Sequence, residues 1–237
     1  MGLLREMQML MAQKPPVTGG LQLINTIALI PPSTSRTNYT ITLPEAIQAG
    51  DQVIVACNYN STLTSIAFSD TFDSAGTTYT TSAANNVAQG LQQCAIKTFS
   101  TARSAGTVTV SAIPNSNTSG QMIVYHLRGP ALSIDSANVQ TFYSSAQPGN
   151  TAQTFGPYNA SAAGFVVALP LIGVNGTTST MAMGGASSWT TDISGGTTYL
   201  CAALHKITTG AISGESFTFT SNKSSSTRFT YLYVPFS

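Results

Sequence analysis

The sequence predicts an all-β protein, an antiparallel and jelly-roll-like β-sandwich, and three observations carry this prediction. Only 7% of the 237 residues are charged, so the Glu, Lys and Arg residues that usually cover exposed helix faces are scarce. Thr, Val, Tyr and Phe, which suit a pleated sheet, are frequent instead. Short segments of strand-like polarity are separated by turns that are rich in Gly, Asn, Asp, Ser and Pro.

The predicted strands follow one another from residue 21 to the end of the chain. The first set covers residues 21–30, 39–43, 52–59, 62–68, 77–82, 92–99, 107–113 and 121–127. After a break at Gly129 and Pro130, the second set covers residues 137–143, 151–158, 164–172, 178–183, 199–207, 216–220 and 227–234. We therefore predict a single β-sandwich domain over residues 21–237.

The two sets of strands resemble each other, which favours an internal repeat over residues 45–130 and 160–237. Cys94 and Cys201 lie 107 residues apart in similar strands. Upstream, the strand at 50–56 aligns with residues 163–169. Such a repeat predicts two sheets that face each other, or two intertwined halves of one sandwich. The alternative is chance, because any two β-rich segments can be aligned in this way.

Residues 1–20 are predicted to form a helical arm and a linker. The apolar residues on one face of the helix, at i, i+3, i+4, i+7 and i+8 spacing, are Leu3, Leu4, Met7, Leu10 and Met11. Pro15 and Pro16 end the helix. A helix this short is marginal alone, so it packs either on its own domain or on another chain. We predict docking onto another chain through these five residues.

Residues suited to catalysis or metal binding are few. His126 and His205 are predicted to occupy core or half-buried positions in strands, and motifs for nucleophilic, nucleotide or zinc chemistry are missing. Asp70 and Asp73 suit a turn better than a Ca²⁺ site, because no further ligand series surrounds them. A site with two carboxylates stays open among Asp51, Asp70, Asp73, Asp135 and Asp192. We predict no enzyme activity, no catalytic residue, no cofactor and no metal.

The cysteines and aromatic residues also favour a structural interpretation. Cys57, Cys94 and Cys201 are few and lack CxxC spacing, which predicts buried thiols rather than a disulfide framework. The aromatic residues that could form a carbohydrate platform are Tyr59, Tyr79, Tyr143, Tyr158, Trp189 and Tyr199. Their strand-like spacing favours core or interface positions over a platform.

Charge and targeting limit the expected partners and location. A net charge of +1 gives no electrostatic basis for a nucleic-acid or membrane partner. Glu6 interrupts the apolar run that a signal peptide needs, and no apolar stretch is long enough for a membrane helix. We expect a virion protein that is made in the host cytoplasm and released by lysis.

One segment, DSAGTTYT at residues 73–80, resembles a family of Thr/Ser-rich β-sandwich domains from phage virion and bacterial surface proteins. Family members combine it with strands that resemble GDQVIVA at 50–56, AGTVTV at 105–110 and AAGFVVA at 162–168, and with an aromatic residue where this chain has Trp189. The resemblance covers residues 45–237 and departs at Thr77, where Asn is usual. It implies a β-sandwich and carries no catalytic motif.

Together these observations predict a structural protein of a bacteriophage. The specific prediction is a capsid decoration (cement) protein that stabilises the shell through subunit contacts. Its expected partners are the coat protein and sister subunits, with a homotrimer as the expected oligomer. The alternative is a carbohydrate-binding or adhesive module of a tail fibre or cell-surface protein, whose partner is a glycan. A glycan hydrolase is the third and least favoured interpretation.

Overall fold

Every strand in the described part of the chain pairs in an antiparallel sheet, and turns and irregular segments connect the strands. A computed structural model describes residues 20–29, 38–60, 65–72, 78–87, 90–113, 119–147, 153–173, 181–185, 189–195, 199–221 and 227–237. These ranges contain strands and no helix, which confirms the predicted all-β antiparallel sandwich. Accordingly, no described helix is long and apolar enough to cross a membrane. The predicted docking residues Leu3, Leu4, Met7, Leu10 and Met11 lie outside the described residues.

Seventeen strands account for the described fold. The first nine are β1 (Gln22–Leu29), β2 (Asn38–Leu43), β3 (Gln52–Asn60), β4 (Ser65–Asp70), β5 (Thr80–Thr81), β6 (Asn85–Val87), β7 (Gly90–Thr98), β8 (Gly106–Ile113) and β9 (Ser119–Arg128). The others are β10 (Gln140–Gln147), β11 (Gln153–Ala160), β12 (Gly164–Gly173), β13 (Met181–Gly185), β14 (Thr190–Gly195), β15 (Tyr199–Thr208), β16 (Ile212–Ser221) and β17 (Thr227–Phe236).

In the N-terminal half, from β1 to β9, strands that are distant in sequence pair in a nested way. β1 pairs with β9, β2 with β8, and β3 with β7. Six strands form a large sheet, here the N-inner sheet, with the order β1-β9-β3-β7-β5 and with β6 also paired to β7. The other three form a small sheet, β2-β8-β4, here the N-outer sheet. Successive strands alternate between the two sheets except from β5 to β7, which all lie in the N-inner sheet. Nested pairing across two facing sheets is the pattern of a jelly roll.

The C-terminal half, from β10 to β17, has the same order. Its C-inner sheet runs β10-β17-β12-β15-β14, and its C-outer sheet runs β11-β16-β13. Each half is therefore a complete sandwich, whereas the repeat in sequence suggested one sheet per half or intertwined halves. The correspondence includes β1, β2, β10 and β11, which lie outside the predicted repeat ranges 45–130 and 160–237.

Strand register refines the alignment of the two halves. Tyr125 and Leu232 lie 107 residues apart and occupy equivalent strands. Ile54 pairs with Tyr125, and Leu169 pairs with Leu232. Ile54 and Leu169 are therefore equivalent, although they lie 115 residues apart. The sequence alignment of 50–56 with 163–169 is thus shifted by two residues. The shift preserves the face of each side chain because the strand period is two.

The two inner sheets pack against each other, which produces four layers of sheet and three apolar layers between them. In β3, Val53 and Val55 face the N-outer sheet, whereas Ile54 and Ala56 face the C-inner sheet. Both faces of this strand are therefore buried. Because both faces are buried, the sequence of β3 is a continuous apolar run and does not alternate between apolar and polar residues.

Two strands at the margins of the inner sheets were not predicted from the sequence. β6 has the sequence NNV and β14 has the sequence TTDISG. Neither contains the alternating apolar residues on which a strand prediction depends. β14 is nevertheless paired along β15 and places Asp192 between the two halves.

Candidate functional site

A buried ionic cluster connects the start of β3 with the end of β9. The carboxylate of Asp51 receives Arg128 Nε at 2.7 Å and Arg128 Nη2 at 2.7 Å. Its Oδ2 atom lies 2.7 Å from His126 Nε2, and the backbone N–H of Gln48 donates to the same oxygen. Asp51 and His126 are both 0% exposed. The cluster therefore links a turn to a strand, and its carboxylate and imidazole are inaccessible to a substrate.

The electrostatics of Asp51 agree with this structural role. Burial raises the pKa of Asp51, but hydrogen bonds from Arg128, the Gln48 backbone and His126 outweigh burial and hold the pKa below its ordinary value. The carboxylate is consequently ionised and paired throughout the neutral range. The sequence correctly predicted that His126 is buried, but it did not identify the residues that bind it.

A second cluster lies between the N-inner and C-inner sheets. Asp192 accepts a hydrogen bond from Tyr125 Oη at 2.7 Å and lies 2.8 Å from His205 Nδ1. The register of β14 shifts between Thr191 and Ile193, so Asp192 occupies a β-bulge. A bulge redirects a side chain, and here it turns the carboxylate towards the other half.

The surroundings of this cluster fix the roles of its members. Burial, followed by the charge of Asp192, raises the pKa of Tyr125 well above its ordinary value, so the phenol stays protonated and donates. The His205 ring stacks on Phe165 with centroids 5.2 Å apart. His205 is 7% exposed, which confirms its predicted burial. The cluster connects the two halves through a hydrogen bond across the central apolar layer.

A third pair accounts for Asp70, one of the two residues considered for Ca²⁺. Lys97 Nζ lies 2.7 Å from Asp70 Oδ2, and the side chains are 4% and 2% exposed. The ammonium group also lies 4.8 Å from the centroid of the Phe99 ring. Asp73 lies outside the described residues. Among the residues that are described, no group of three His, Cys, Asp or Glu side chains is arranged to hold a metal ion.

The remaining described carboxylates are also engaged within the chain. Glu45 accepts from Asn25, and Glu215 binds Lys206 at 2.5 Å. Asp135 accepts from the amide of Asn138. Every carboxylate in the described part of the chain therefore has an internal partner.

A row of four amide side chains crosses the N-inner sheet at its face towards the C-inner sheet. Strand register places Gln121 opposite Asn58, Asn58 opposite Gln92, and Gln92 opposite Asn85. All four are buried, with exposures from 0% to 5%. We call these residues the amide row. Buried amides require hydrogen-bond partners, and those of this row lie largely in the other half.

Pro170 explains why backbone groups are available to the amide row. It lies in β12, a central strand, where proline is unusual because it cannot donate to the ladder. The pairing of β12 with β15 runs to Ala168 and resumes at Leu171. Asn58 Nδ2 donates to the Pro170 carbonyl at 3.0 Å, and Gln92 Nε2 donates to the Leu169 carbonyl. Side chains of the N-terminal half thus donate hydrogen bonds to two carbonyls of β12 in the C-terminal half, at the point where the pairing of β12 with β15 is interrupted.

Asn85 extends this connection to the next strands. Its Nδ2 donates to Gln92 Oε1 at 2.8 Å and to the Tyr231 carbonyl at 2.9 Å. The sequence indicated none of this, because isolated Asn and Gln residues are typical of turns and surfaces. Only the register reveals that they align.

The aromatic residues that were considered for a carbohydrate platform do not form one in the described structure. Tyr79 and Tyr158 are buried in separate cores, and Trp189 packs against Phe217 at 5.9 Å. Tyr143 is 36% exposed. The side chains of Tyr59 and Tyr199 lie outside the description. The four described members therefore do not share one open surface.

The described thiols are buried, as predicted. Cys57 lies between the sheets of the N-terminal half, and Cys94 lies between the two inner sheets. Both are free of disulfide bonds. Burial raises the pKa of Cys94 far above its ordinary value, so the reactive thiolate does not form near neutral pH. The side chain of Cys201 is not among those described.

The outer sheets present hydroxyl groups to the outside. On the N-outer sheet, Thr40, Thr42 and Ser69 are exposed, and Thr107 and Thr109 are half-buried. Register places Thr40 opposite Thr109 and Thr42 opposite Thr107. The Oγ1 atoms of Thr42 and Thr107 are 3.3 Å apart. We call this surface the N hydroxyl face.

The C-outer sheet carries an equivalent surface, which we call the C hydroxyl face. Thr154 and Ser216 are exposed and Thr218 is half-buried. Thr154 pairs with Thr218, and their Oγ1 atoms are again 3.3 Å apart. Because the outer sheets flank the stacked inner sheets, the two hydroxyl faces lie on the two outer layers of the molecule.

Comparison with known proteins adds no assignment. No protein-family model matches the chain, and no curated protein matches its sequence.

Proposed function

We propose that this chain is a structural protein of a bacteriophage particle, and that it acts as a capsid decoration protein. The observation that carries this proposal is the distribution of charge. Every described carboxylate has a hydrogen-bond partner within the chain, and the side chains of Asp51, Asp70 and Asp192 are buried with theirs. The described outward positions of the two outer sheets present hydroxyl groups without charge. Such a molecule suits lasting contact with other protein surfaces.

The same distribution argues against an enzyme. General acid–base catalysis needs a titratable side chain that reaches a substrate, often with a shifted pKa in a cleft. The two histidines are 0% and 7% exposed and each is bound to a carboxylate. The prediction of no enzyme activity and no cofactor is therefore retained as part of the proposal.

The jelly roll alone does not choose between the two leading functions, because it occurs in both viral capsid proteins and lectins. The aromatic side chains favour the structural role. Recognition of a sugar ring commonly uses exposed aromatic faces, and among the described candidates Tyr79 and Tyr158 are buried, which leaves Tyr143 as an isolated exposed ring. We retain the glycan-binding module as the alternative outcome of the test.

The proposed partners are the coat protein and sister subunits, with a homotrimer as the expected arrangement on the particle. A protein that binds only the assembled shell stabilises the assembled state by mass action. The stacked double sandwich provides a rigid body for this purpose, because apolar layers fill the space between all four sheets.

The test is the composition of purified particles of the phage that encodes this chain. Particles are separated on a density gradient, and the chain is quantified against the coat protein by mass spectrometry. We expect a fixed ratio to coat subunits that survives a wash in high salt. Absence from the particles would overturn the proposal, and retention on a glycan array with absence from particles would favour the alternative.

A further inference from the structure

We propose that the N and C hydroxyl faces are the surfaces through which one copy of this chain binds a second copy. The inference rests on the proposed function, in which sister subunits lie side by side on a shell. It identifies the part of the molecule that makes the contact.

The hydroxyl groups are regularly spaced on these faces. On the N hydroxyl face, Thr40, Thr109 and Ser69 form one row across three strands, and Thr42 and Thr107 begin the next row. Neighbouring strands lie about 4.8 Å apart, and alternate residues along a strand lie about 6.7 Å apart. Each threonine presents a methyl group and a hydroxyl group, which can act as donor or acceptor. A surface of this kind can form hydrogen bonds with a like surface.

The two hydroxyl faces are also uncharged at their described positions. No Asp, Glu, Lys or Arg occupies a described outward position of the two outer sheets. Soluble proteins usually carry such charges on their surfaces, where they oppose association between molecules. In this chain the nearby charges point inwards: Asp70 binds Lys97, and Glu215 binds Lys206. An uncharged partner is therefore the complementary one, and a second copy provides two such faces.

Two other kinds of partner do not fit these faces. The described outward positions of the outer sheets include no aromatic side chain on which a sugar ring could stack. A nucleic acid or anionic membrane needs basic residues, and the faces provide none. A sister copy provides a matching uncharged surface, because its two faces repeat the same arrangement of threonine pairs, Thr42 with Thr107 and Thr154 with Thr218.

The size of the faces determines how strong the contact is. Three strands of about six residues cover roughly 300 Å². A stable interface buries about 800 Å² on each partner. One face therefore supports only weak binding, and two faces used together on a particle gain from effective concentration. We expect a monomer in dilute solution that associates reversibly as its concentration rises.

The test uses the full chain and adds two positive charges to one face at a time. The variants are Thr42→Lys with Thr109→Lys, and Thr154→Lys with Thr218→Lys. The matched control, Thr80→Lys with Thr209→Lys, adds the same charge at exposed positions away from both faces. Association is followed by sedimentation velocity from micromolar to millimolar concentration, and melting temperatures confirm that each variant is folded.

We expect wild type and control to associate over the same range of protein concentration. Each face variant should require at least ten times the protein concentration to reach the same degree of association. Mixing the Thr42→Lys, Thr109→Lys variant with a Thr154→Glu, Thr218→Glu variant should restore association if the N face meets the C face. Mixing it with a Thr42→Glu, Thr109→Glu variant should restore association if N faces meet each other. Association of both face variants like wild type would overturn the inference, as would a wild type that stays monomeric at millimolar concentration. If the chain is absent from particles but the faces still mediate association, the proposed function fails and this inference stands.

Discussion

At the scale of single residues, buried carboxylates determine much of the stability. Asp51 has two charged or polar side chains and one backbone N–H bound to it at 2.7 Å. We expect Asp51→Asn to lower the free energy of unfolding by about 3–5 kcal/mol, because Arg128 is then left without its counter-charge. Urea denaturation measures this change. Glu45→Gln, at an exposed carboxylate, is the control and should change stability by less than about 0.5 kcal/mol.

The pH dependence of the same residue follows from the direction of its pKa shift. The folded-state pKa of Asp51 is lowered, so its stabilisation is present above the unfolded value of about 3.9 and is lost as pH falls through the folded value. The difference in the free energy of unfolding between wild type and Asp51→Asn should therefore be constant from about pH 5 to about pH 7 and should shrink below about pH 4. A difference that is unchanged at lower pH would contradict this assignment.

Tyr125 provides a second residue-scale prediction, at the junction of the halves. Tyr125→Phe removes the donor to Asp192 but leaves the ring in place. We expect a loss of about 1–3 kcal/mol in the free energy of unfolding, because the buried carboxylate keeps only His205 as a partner. Tyr143→Phe, on an exposed ring, should be nearly neutral. Equal effects of the two substitutions in chemical denaturation would show that the hydrogen bond contributes nothing.

Residue roles were only partly predictable from the sequence. The burial of His126 and His205 was predicted correctly because both lie within apolar strands. Their partners were not, since Asp51 and His126 are 75 positions apart and meet only through the register of β3 and β9. Asp192 was considered as a turn or catalytic carboxylate, because the bulge that places it inside leaves no pattern in the sequence.

At the scale of elements, the amide row compensates for a proline in a central strand. Asn58→Leu and Gln92→Leu each leave a carbonyl of β12 without its donor. We expect each to cost about 1–3 kcal/mol, and the double variant to deviate from additivity because the two side chains share one network. Equilibrium unfolding in urea measures all three. Asn38→Leu, on an exposed position of β2, should be close to neutral, and similar losses there would refute the role of the row.

Strand prediction succeeded where burial leaves a pattern and failed where it does not. β3 was predicted because VIVAC is apolar on both faces, and β12 for the same reason. β14 was missed because its pairing with β15 is maintained by backbone hydrogen bonds, while its side chains are mostly polar. The relationship between the halves was visible in the sequence, whereas the stacking of their inner sheets was not.

At the scale of the whole molecule, the two halves should unfold as one unit. The central apolar layer, the Tyr125–Asp192 bond and the amide row all cross the boundary between them. We expect a single calorimetric transition with equal calorimetric and van't Hoff enthalpies. Two separated transitions in the wild type would contradict this expectation. Combining Tyr125→Phe with Asn58→Leu should broaden or split the transition, since both connections are weakened.

The central claim is that this chain stabilises a phage particle, and the heat resistance of particles without it tests that claim most directly. Particles are prepared from a phage whose gene for the chain is deleted, and genome release is followed with a DNA-binding dye during heating. We predict release at a temperature several degrees below that of wild-type particles, and full restoration when the purified chain is added back. Unchanged heat resistance, together with no binding of the added chain to the deletion particles, would contradict the account.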